Sequence, residues 1–305
     1  MKYAPIALFT YNRADHTQKA VESLLQNEEA KESDLFVFSD GPKTEAKKAG
    51  VEENREYIHS ITGFRSVTIV ERDSNWGLSK SLIAGITEIT EKFGRVIVVE
   101  DDLIVSPYFL RYMNDALEKY ENNERVASVS AFLNPIDMQA PETFFLRYFA
   151  CWGWATWKRA WNLFNPDSRD LLKKIRWKTR EFNIDGQGPF YGILYCDNVG
   201  LNDSWAVRFY ASCFLQGKLH LFPRQTMAIQ SGMDGTGTHS GVNSIYNNMK
   251  LAHEPISIGN IAVAEEKKMY QAFARFYGKQ HNHTLKTEIN KMKSFIRRLL
   301  GLDFR

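Results

Sequence analysis

The sequence predicts an α/β protein built on a mostly parallel central sheet. Two observations carry that expectation. Over the first 105 residues, short apolar runs alternate with amphipathic helical patterns, the signature of right-handed βαβ crossovers. One run, Arg95-Val-Ile-Val-Val-Glu100-Asp101-Asp102, has four apolar β-branched residues in a row and then three consecutive carboxylates. A continuous apolar run reads as a strand buried on both faces. Ligands of open α/β sheets bind beyond the carboxyl ends of such strands.

The elements follow in order. Pro5-Ile-Ala-Leu-Phe-Thr10 is the first strand, with a polar turn through Tyr11, Asn12 and Arg13. Asp15 or Thr17 is placed to cap the next helix, whose apolar stripe holds Ala20, Val21, Leu24 and Leu25. Asp34-Leu-Phe-Val-Phe-Ser39 is the second strand, ending on the turn Asp40-Gly41-Pro42. Residues 43–56 mix charges of both signs and read as a solvated helix. Ser66-Val-Thr-Ile-Val70 is a third strand, Asn75-Trp-Gly77-Leu-Ser79 a turn, and Ser81–Phe93 a helix leading to the acid-tipped strand. After Ser106-Pro107 a helix is expected to about Glu121, then a strand over Val126–Phe132. Residues 134–146, with Pro135 and Pro141, read as loop, and the stretch to Asp203 is rich in Trp, Tyr and Gly without clear periodicity. Asp203–Leu215 reads as a helix, His220–Pro223 as a late strand, and Gly232-Met-Asp234-Gly235-Thr-Gly237-Thr238-His239 as a glycine-rich loop.

Composition narrows the function. The chain has 305 residues, 44% hydrophobic and 25% charged, so it is globular rather than disordered. A net charge of only +3 argues against a dedicated nucleic-acid binder. Cys151, Cys196 and Cys213 are odd in number and lack metal-ligand spacing, as expected of buried thiols in a reducing compartment. Met1-Lys2-Tyr3 runs directly into a strand, so no signal peptide is expected. No apolar run approaches the roughly 20 residues of a membrane span.

Three acids at the end of a buried strand repel one another and cost desolvation energy unless something positive sits beside them. A hard divalent cation, Mn2+ or Mg2+, is the natural partner for such oxygens. A solvated acidic loop, with Asp102 capping the next helix, is the plain alternative.

The first strand ending in Thr10-Tyr-Asn12-Arg13, the second in Ser39-Asp40-Gly41, then Asn75-Trp-Gly77-Leu and Glu100-Asp101-Asp102, form an ordered set. Together they resemble glycosyltransferases with the GT-A fold, a Rossmann-like fold of nucleotide-diphospho-sugar transferases, and above all bacterial family-2-like sugar transferases. The Glu-Asp-Asp form is similar to the N-acetylglucosaminyltransferase I type. The resemblance covers roughly residues 3–240 and extends to Cys151-Trp152-Gly153-Trp154-Ala-Thr-Trp157-Lys158-Arg159 and to Asp203-Ser-Trp205-Ala-Val-Arg208. It implies a catalytic domain over residues 1–240, with a nucleotide-binding half to about 105 and an acceptor-binding half from about 106. Residues 241–305 are then a C-terminal extension.

The resemblance also implies roles. Thr10, Asn12 and Arg13 would line the base and ribose pocket. Asp40 would accept a hydrogen bond from a uracil N–H, which favours a UDP-sugar; a plain turn residue accounts for the same Asp. Asn75 and Gly77 would approach the nucleotide, or form an ordinary turn. Asp102 would bind the metal, with Asp101 on the ribose or a metal-bound water and Glu100 beside them. His239 would complete the metal shell or touch phosphate, or be an ordinary histidine. Asp203 would be the catalytic base or only a helix cap, with Asp197 in reserve. Arg208 would bind acceptor or form a structural ion pair. Trp152, Trp154 and Trp157 would wall the acceptor sugar, with core packing expected for at least one of them. Lys158 and Arg159 would meet a phosphate on a lipid-linked acceptor.

The function expected is a metal-dependent, inverting transfer from a nucleotide-sugar donor to a glycan or lipid-linked acceptor in surface polysaccharide synthesis, in the cytoplasm. From 285 to 305 the tail has six Lys/Arg and two acids, with apolar residues at helical spacing. It reads as a basic amphipathic helix that either makes a peripheral contact at the inner membrane face or docks on its own domain. A sugar-phosphate nucleotidyltransferase is a rival, but the turn after the first strand lacks the glycine-rich basic loop such enzymes carry. A non-catalytic sugar- or nucleotide-binding protein and a metal-dependent hydrolase are the others.

Overall fold

The computed structural model describes residues 3–231, 246 and 249–280. The strands are β1 (Ile6–Thr10), β2 (Asp34–Ser39), β3 (Ser66–Glu71), β4 (Arg95–Glu100), β5 (Leu103–Val105), β6 (Val126–Ser130), β7 (Thr143–Leu146), β8 (Trp154–Trp157), β9 (Leu219–Pro223) and β10 (Ala228–Gln230). The α-helices are α1 (Ala14–Leu25), α2 (Lys48–His59), α3 (Leu78–Phe93), α4 (Phe109–Lys119), α5 (Lys158–Trp161), α6 (Ser168–Ile175), α7 (Thr179–Phe182), α8 (Phe190–Asn198) and α9 (Trp205–Leu215). A further helical stretch covers residues 267–280.

Eight strands make one sheet in the order β3-β2-β1-β4-β8-β6-β9-β7, and β5 pairs with β10 apart from it. The pairs β1–β2, β1–β4, β2–β3 and β6–β9 are parallel. Within this sheet only β7 and β8 run against the rest. The α/β architecture with a mostly parallel sheet is therefore as the sequence predicts. Both faces are covered, which is why β1 and β4 read as unbroken apolar runs. Ala7, Phe9, Val96 and Val98 pack into one core, and Ile6, Leu8, Ile97 and Val99 into the other.

The chain steps outward from β1 to β2 and β3, then returns through α3 to β4 on the other side of β1. This reversal brings the carboxyl ends of β1 and β4 side by side. Phe9 is opposite Glu100, and the Asp101 N–H donates to the Phe9 carbonyl at 3.0 Å. Whatever follows Thr10 must therefore meet whatever follows Glu100.

Several expectations change. Residues 143–146, read as loop, are the edge strand β7, whose ladder partner is β9. Four residues after a proline are too short to show a period, and only that ladder makes them a strand. The aperiodic stretch contains β8, threaded between β4 and β6, and the helices α5 to α8. Because β8 is central, Trp154 is 0% exposed and stacks on Trp205 at 5.5 Å, while Trp157 is buried and donates its indole N–H to the Leu117 carbonyl at 3.0 Å. Neither forms an acceptor wall. Nor do Lys158 and Arg159 wait for a phosphate. Lys158 pairs with Glu91 at 2.5 Å, and Arg159 donates to the carbonyls of Tyr120, Glu121 and Val126 while lying 4.4 Å over the Trp157 ring.

Helix α1 starts at Ala14 with Arg13 at the cap position, so neither Asp15 nor Thr17 caps it. Ser204, not Asp203, caps α9. The glycine-rich loop from Gly232, including His239, and the basic tail from 285 lie outside the described residues. No helix among the described residues is long and apolar enough to cross a membrane.

Trp154→Ala is expected to cost about 3–5 kcal/mol, the usual range for emptying a large aromatic site in a closed core. Urea unfolding reads this directly. A loss under about 1 kcal/mol would place Trp154 on a surface after all.

Candidate active site

The acid tip is where the fold concentrates charge. Glu100 is half-buried, and Asp101 and Asp102 are buried. Burial first, then the neighbouring Asp102 and Asp101, push the Glu100 carboxyl up to about 8. Burial also raises Asp101, to about 6, against the pull of Arg13. Arg13 is the positive partner. One guanidinium nitrogen, Nη2, donates to Asp101 Oδ1 at 2.6 Å and to Asp102 Oδ2 at 3.0 Å. A residue expected to line the base and ribose pocket thus compensates the carboxylates instead, because β1 and β4 are neighbours in the sheet.

Asp102 is also tied to the segment after β10. Its carbonyl accepts from the Ser231 N–H at 2.7 Å and the Ser231 hydroxyl at 3.1 Å. The Gln230 amide nitrogen approaches Asp102 Oδ2 at 3.4 Å. His16 holds Ser231 from the other side, with Nδ1 3.0 Å from Oγ. Two buried polar atoms here, Arg13 Nη1 and Gln230 Oε1, have no partner among the described residues.

The Asp40 carboxylate is already full. Oδ1 accepts the N–H groups of Gly41 and Trp76 at 2.9 and 2.8 Å, and Oδ2 those of Gly77 and the Asn75 side chain at 2.9 and 3.0 Å. Four donors from its own chain saturate it, so Asp40 has no acceptor left for uracil. It is the knot that fastens the 75–77 turn to the end of β2. Asn75 closes the knot by donating to the Gly41 carbonyl at 2.9 Å. The fit requires glycine at two places. A Cβ on Gly41 would sit 2.5 Å from the Ser74 backbone, and Gly77 has φ +77°. Trp76 is held between Arg72 at 4.1 Å and Lys80 at 4.4 Å from its ring.

Thr10 and Asn12 are likewise turned to the scaffold. Thr10 Oγ1 accepts from Asn54 at 3.1 Å, and the Asn12 carbonyl lies against Gly50.

Arg208 joins the two sides of the site. Its Nη2 donates to Ser79 Oγ, in the first turn of α3, at 2.7 Å and to Asp203 Oδ1 at 2.6 Å. Asp203 is 67% exposed at the side chain. Asp197 is the reverse case. Its Oδ1 accepts the Ser204 N–H at 2.6 Å, Oδ2 takes the Ser168 hydroxyl, and Arg208 lies 3.7 Å away. Asp197 is therefore a structural anchor and not a base in reserve.

A cavity of about 210 Å³ is walled by Phe132, Tyr148, Trp152, Tyr210, Tyr246 and Tyr277, with Cys151 and Ser204 on its lining. The Tyr277 hydroxyl donates to that of Tyr148 at 2.8 Å. Trp152 is the one tryptophan of the expected three that faces this space. The Cys151 thiol is pushed up by burial and next by the neighbouring Glu100 carboxylate. Because β8 runs antiparallel to β4, with Trp154 opposite Val98, the segment just before Trp154 lies toward the acid end of β4. Sequence reasoning missed Tyr148, Tyr210, Tyr277, Gln230 and His16. Each is an ordinary residue in its own segment, and only folding brings them together.

Among the described residues, no three of His, Cys, Asp and Glu converge on one point as a ready-made metal site. The chemistry still fits a hard cation. Asp102 and the unpartnered Gln230 oxygen are oxygen donors at the acid tip, and Mg2+-like ions are commonly held by one or two carboxylates plus substrate phosphates.

Residues 1–169 match the family described as the GNT-I family. The chain is 22% identical over 183 residues to an alpha-1,3-mannosyl-glycoprotein 2-beta-N-acetylglucosaminyltransferase of Arabidopsis thaliana, covering 54% of this chain and 40% of that protein. It thus spans well under two thirds of this relative's length. Two solved structures overlap it loosely. Mouse xyloside xylosyltransferase 1 has a TM-score of 0.34 at 12% identity, over 70% of this chain and 81% of that one. The glycosyltransferase GlyE of Streptococcus pneumoniae has a TM-score of 0.34 at 10% identity, over 72% and 45%.

Asp40→Ala is expected to cost about 3 kcal/mol, since it strands four N–H groups that share one charged acceptor. Were stability in urea untouched while nucleotide binding fell, Asp40 would be a ligand and not a knot. A second expectation concerns pH. The folded chain holds protons on Glu100 and Asp101 that the unfolded chain releases near the ordinary carboxyl value of about 4. That contribution to stability is complete below about 4 and is lost as pH rises through about 6 and about 8. The Tm of the metal-free protein should fall between these pH values, and Glu100→Gln should flatten the fall. Parallel Tm profiles for the two proteins would deny the burial of Glu100.

Proposed function

Because the chain belongs to the GNT-I family, we propose that it is a glycosyltransferase that moves a sugar from a nucleotide-diphosphate donor to a glycan acceptor. The observation that carries this reading is the run of three carboxylates after β4, two of them held by a half-free guanidinium from the end of β1, with an aromatic cavity on the segment that leads into β8, the strand beside β4. An N-acetylhexosamine is the favoured sugar, on the name of the Arabidopsis relative. Asp40 no longer favours uracil, and a UDP-sugar remains the first donor to test.

Each residue has its own task. Asp101 serves the donor's ribose. Asp102 would hold Mn2+ or Mg2+, which supplies positive charge to the departing diphosphate. Arg13 has one nitrogen committed to the acids and Nη1 unpartnered, so it can add a donor bond to a bound anion. Trp152 and the tyrosines offer faces against which the C–H face of a sugar packs. Asp203 acts as base. It takes the proton of the acceptor hydroxyl as that oxygen bonds to the anomeric carbon and the carbon–oxygen bond to the diphosphate breaks, a single displacement that inverts the centre. Arg208 aims the Asp203 carboxylate and ties it to α3.

A melting-temperature screen of nucleotide sugars with and without Mn2+ tests the donor half. A metal-dependent rise with a UDP-sugar, lost in Asp102→Asn, is the expected result. Asp203→Asn should keep that rise while turnover falls roughly 10²–10⁴-fold. Turnover at the wild-type rate in Asp203→Asn removes it as the base. No rise with any nucleotide sugar, in folded protein, removes the transferase reading.

A further inference from the structure

We propose that the turn after α6, centred on Trp177, is a docking surface for an anionic phospholipid membrane. Trp177 is 83% exposed, the highest value among the exposed large apolar residues of the described chain. No packing among the described residues accounts for it. The apolar stripe of α6 is already used, with Leu171 and Ile175 buried. Trp177 follows the helix and faces solvent. Phe182, a few residues on, is fully buried and anchors the turn from beneath.

The surroundings of the indole identify its partner. Residues 168–180 carry six basic side chains, Arg169, Lys173, Lys174, Arg176, Lys178 and Arg180, against one acid, Asp170. Lys173, Lys174, Arg176, Lys178 and Arg180 are all exposed. Asp170 pairs with Lys174 and Asp185 with Arg180, whereas Arg176 and Lys178 have no acidic partner among the described residues. The Arg176 guanidinium lies 4.9 Å from the Trp177 ring centre. An exposed tryptophan with an arginine on its ring, in a segment rich in exposed cations, matches the membrane–water boundary, where an indole rests at headgroup depth and each Lys or Arg gains from anionic headgroups. An acidic protein would also suit these charges and could seat the indole in a pocket, and failure of the wild type to bind anionic vesicles would decide for it.

The placement suits the rest of the molecule. The layer that carries this turn also walls the aromatic cavity, since Phe190 and Ile193 of α8 line it and Tyr210 donates to the Phe182 carbonyl at 2.8 Å. Seating Trp177 in a bilayer would hold that layer at the surface. The docking surface rests on the exposed turn alone and not on the donor site, because vesicle binding needs no turnover.

The test is co-sedimentation of the full chain with phosphatidylcholine vesicles, with and without phosphatidylglycerol. The variants are Trp177→Ser, the triple Lys173→Glu/Arg176→Glu/Lys178→Glu, and the tail pair Lys291→Glu/Lys293→Glu, each shown to melt like the wild type. Binding to the anionic vesicles is expected to fall roughly ten-fold in Trp177→Ser and roughly a hundred-fold in the triple variant. Neutral vesicles should bind weakly. The proposal is overturned if the wild type does not sediment with anionic vesicles, or if only the tail pair loses binding. It is overturned equally if the triple variant loses binding while Trp177→Ser does not, which would mark a purely electrostatic surface.

Discussion

Placing three carboxylates at the end of a strand buried on both faces is the constraint around which the remainder of this structure is arranged. The cost of that placement is met by one guanidinium. Arg13 reaches Asp101 and Asp102 because the chain crosses from β3 back to β4 beside β1, so residues 88 and 89 positions apart become neighbours. The compensation is incomplete. Burial and mutual repulsion leave Glu100 and Asp101 raised, so the tip keeps an appetite for further positive charge. A site in that condition is suited to a ligand that brings a cation with it.

Around the tip, polar groups are spent on rigidity. Asp40 gives all its acceptor capacity to one turn, and Thr10 answers Asn54. These look like ligand-facing residues when read by position along the chain. Their hydrogen bonds make them the frame that fixes the turns at the ends of β1 and β2. Groups with spare capacity are elsewhere, at Arg13 Nη1, Gln230 Oε1 and the exposed carboxylate of Asp203. Unspent hydrogen-bonding capacity separates a binding group from a structural one better than residue type does.

The second half of the chain supplies the other wall. Its helices α5 to α8 are short, and aromatic contacts join its elements, such as Phe182 stacked on Tyr210 at 4.6 Å and Trp154 on Trp205 at 5.5 Å. Arg208 ties this layer to α3 through Ser79 and to the rim through Asp203, so the two halves are fastened at the site itself.

The sequence by itself determined the parallel half of the sheet, because burial on two faces demands the unbroken apolar runs of β1, β2 and β4, and those runs are local. It also marked the acid tip, since three carboxylates directly after such a run must be compensated wherever the chain folds. Only the tertiary structure decided what each polar residue does. Whether Asp40 is a ligand or a knot depends on donors from residues 75–77, and whether Trp154 is a wall or a core depends on β8 entering the sheet between β4 and β6. The cavity of Tyr148, Tyr210 and Tyr277 joins an irregular stretch, a helix and a C-terminal segment, and no local pattern in any of them records the other two. Periodicity is a property of neighbours along the chain, and a site is a property of neighbours in space.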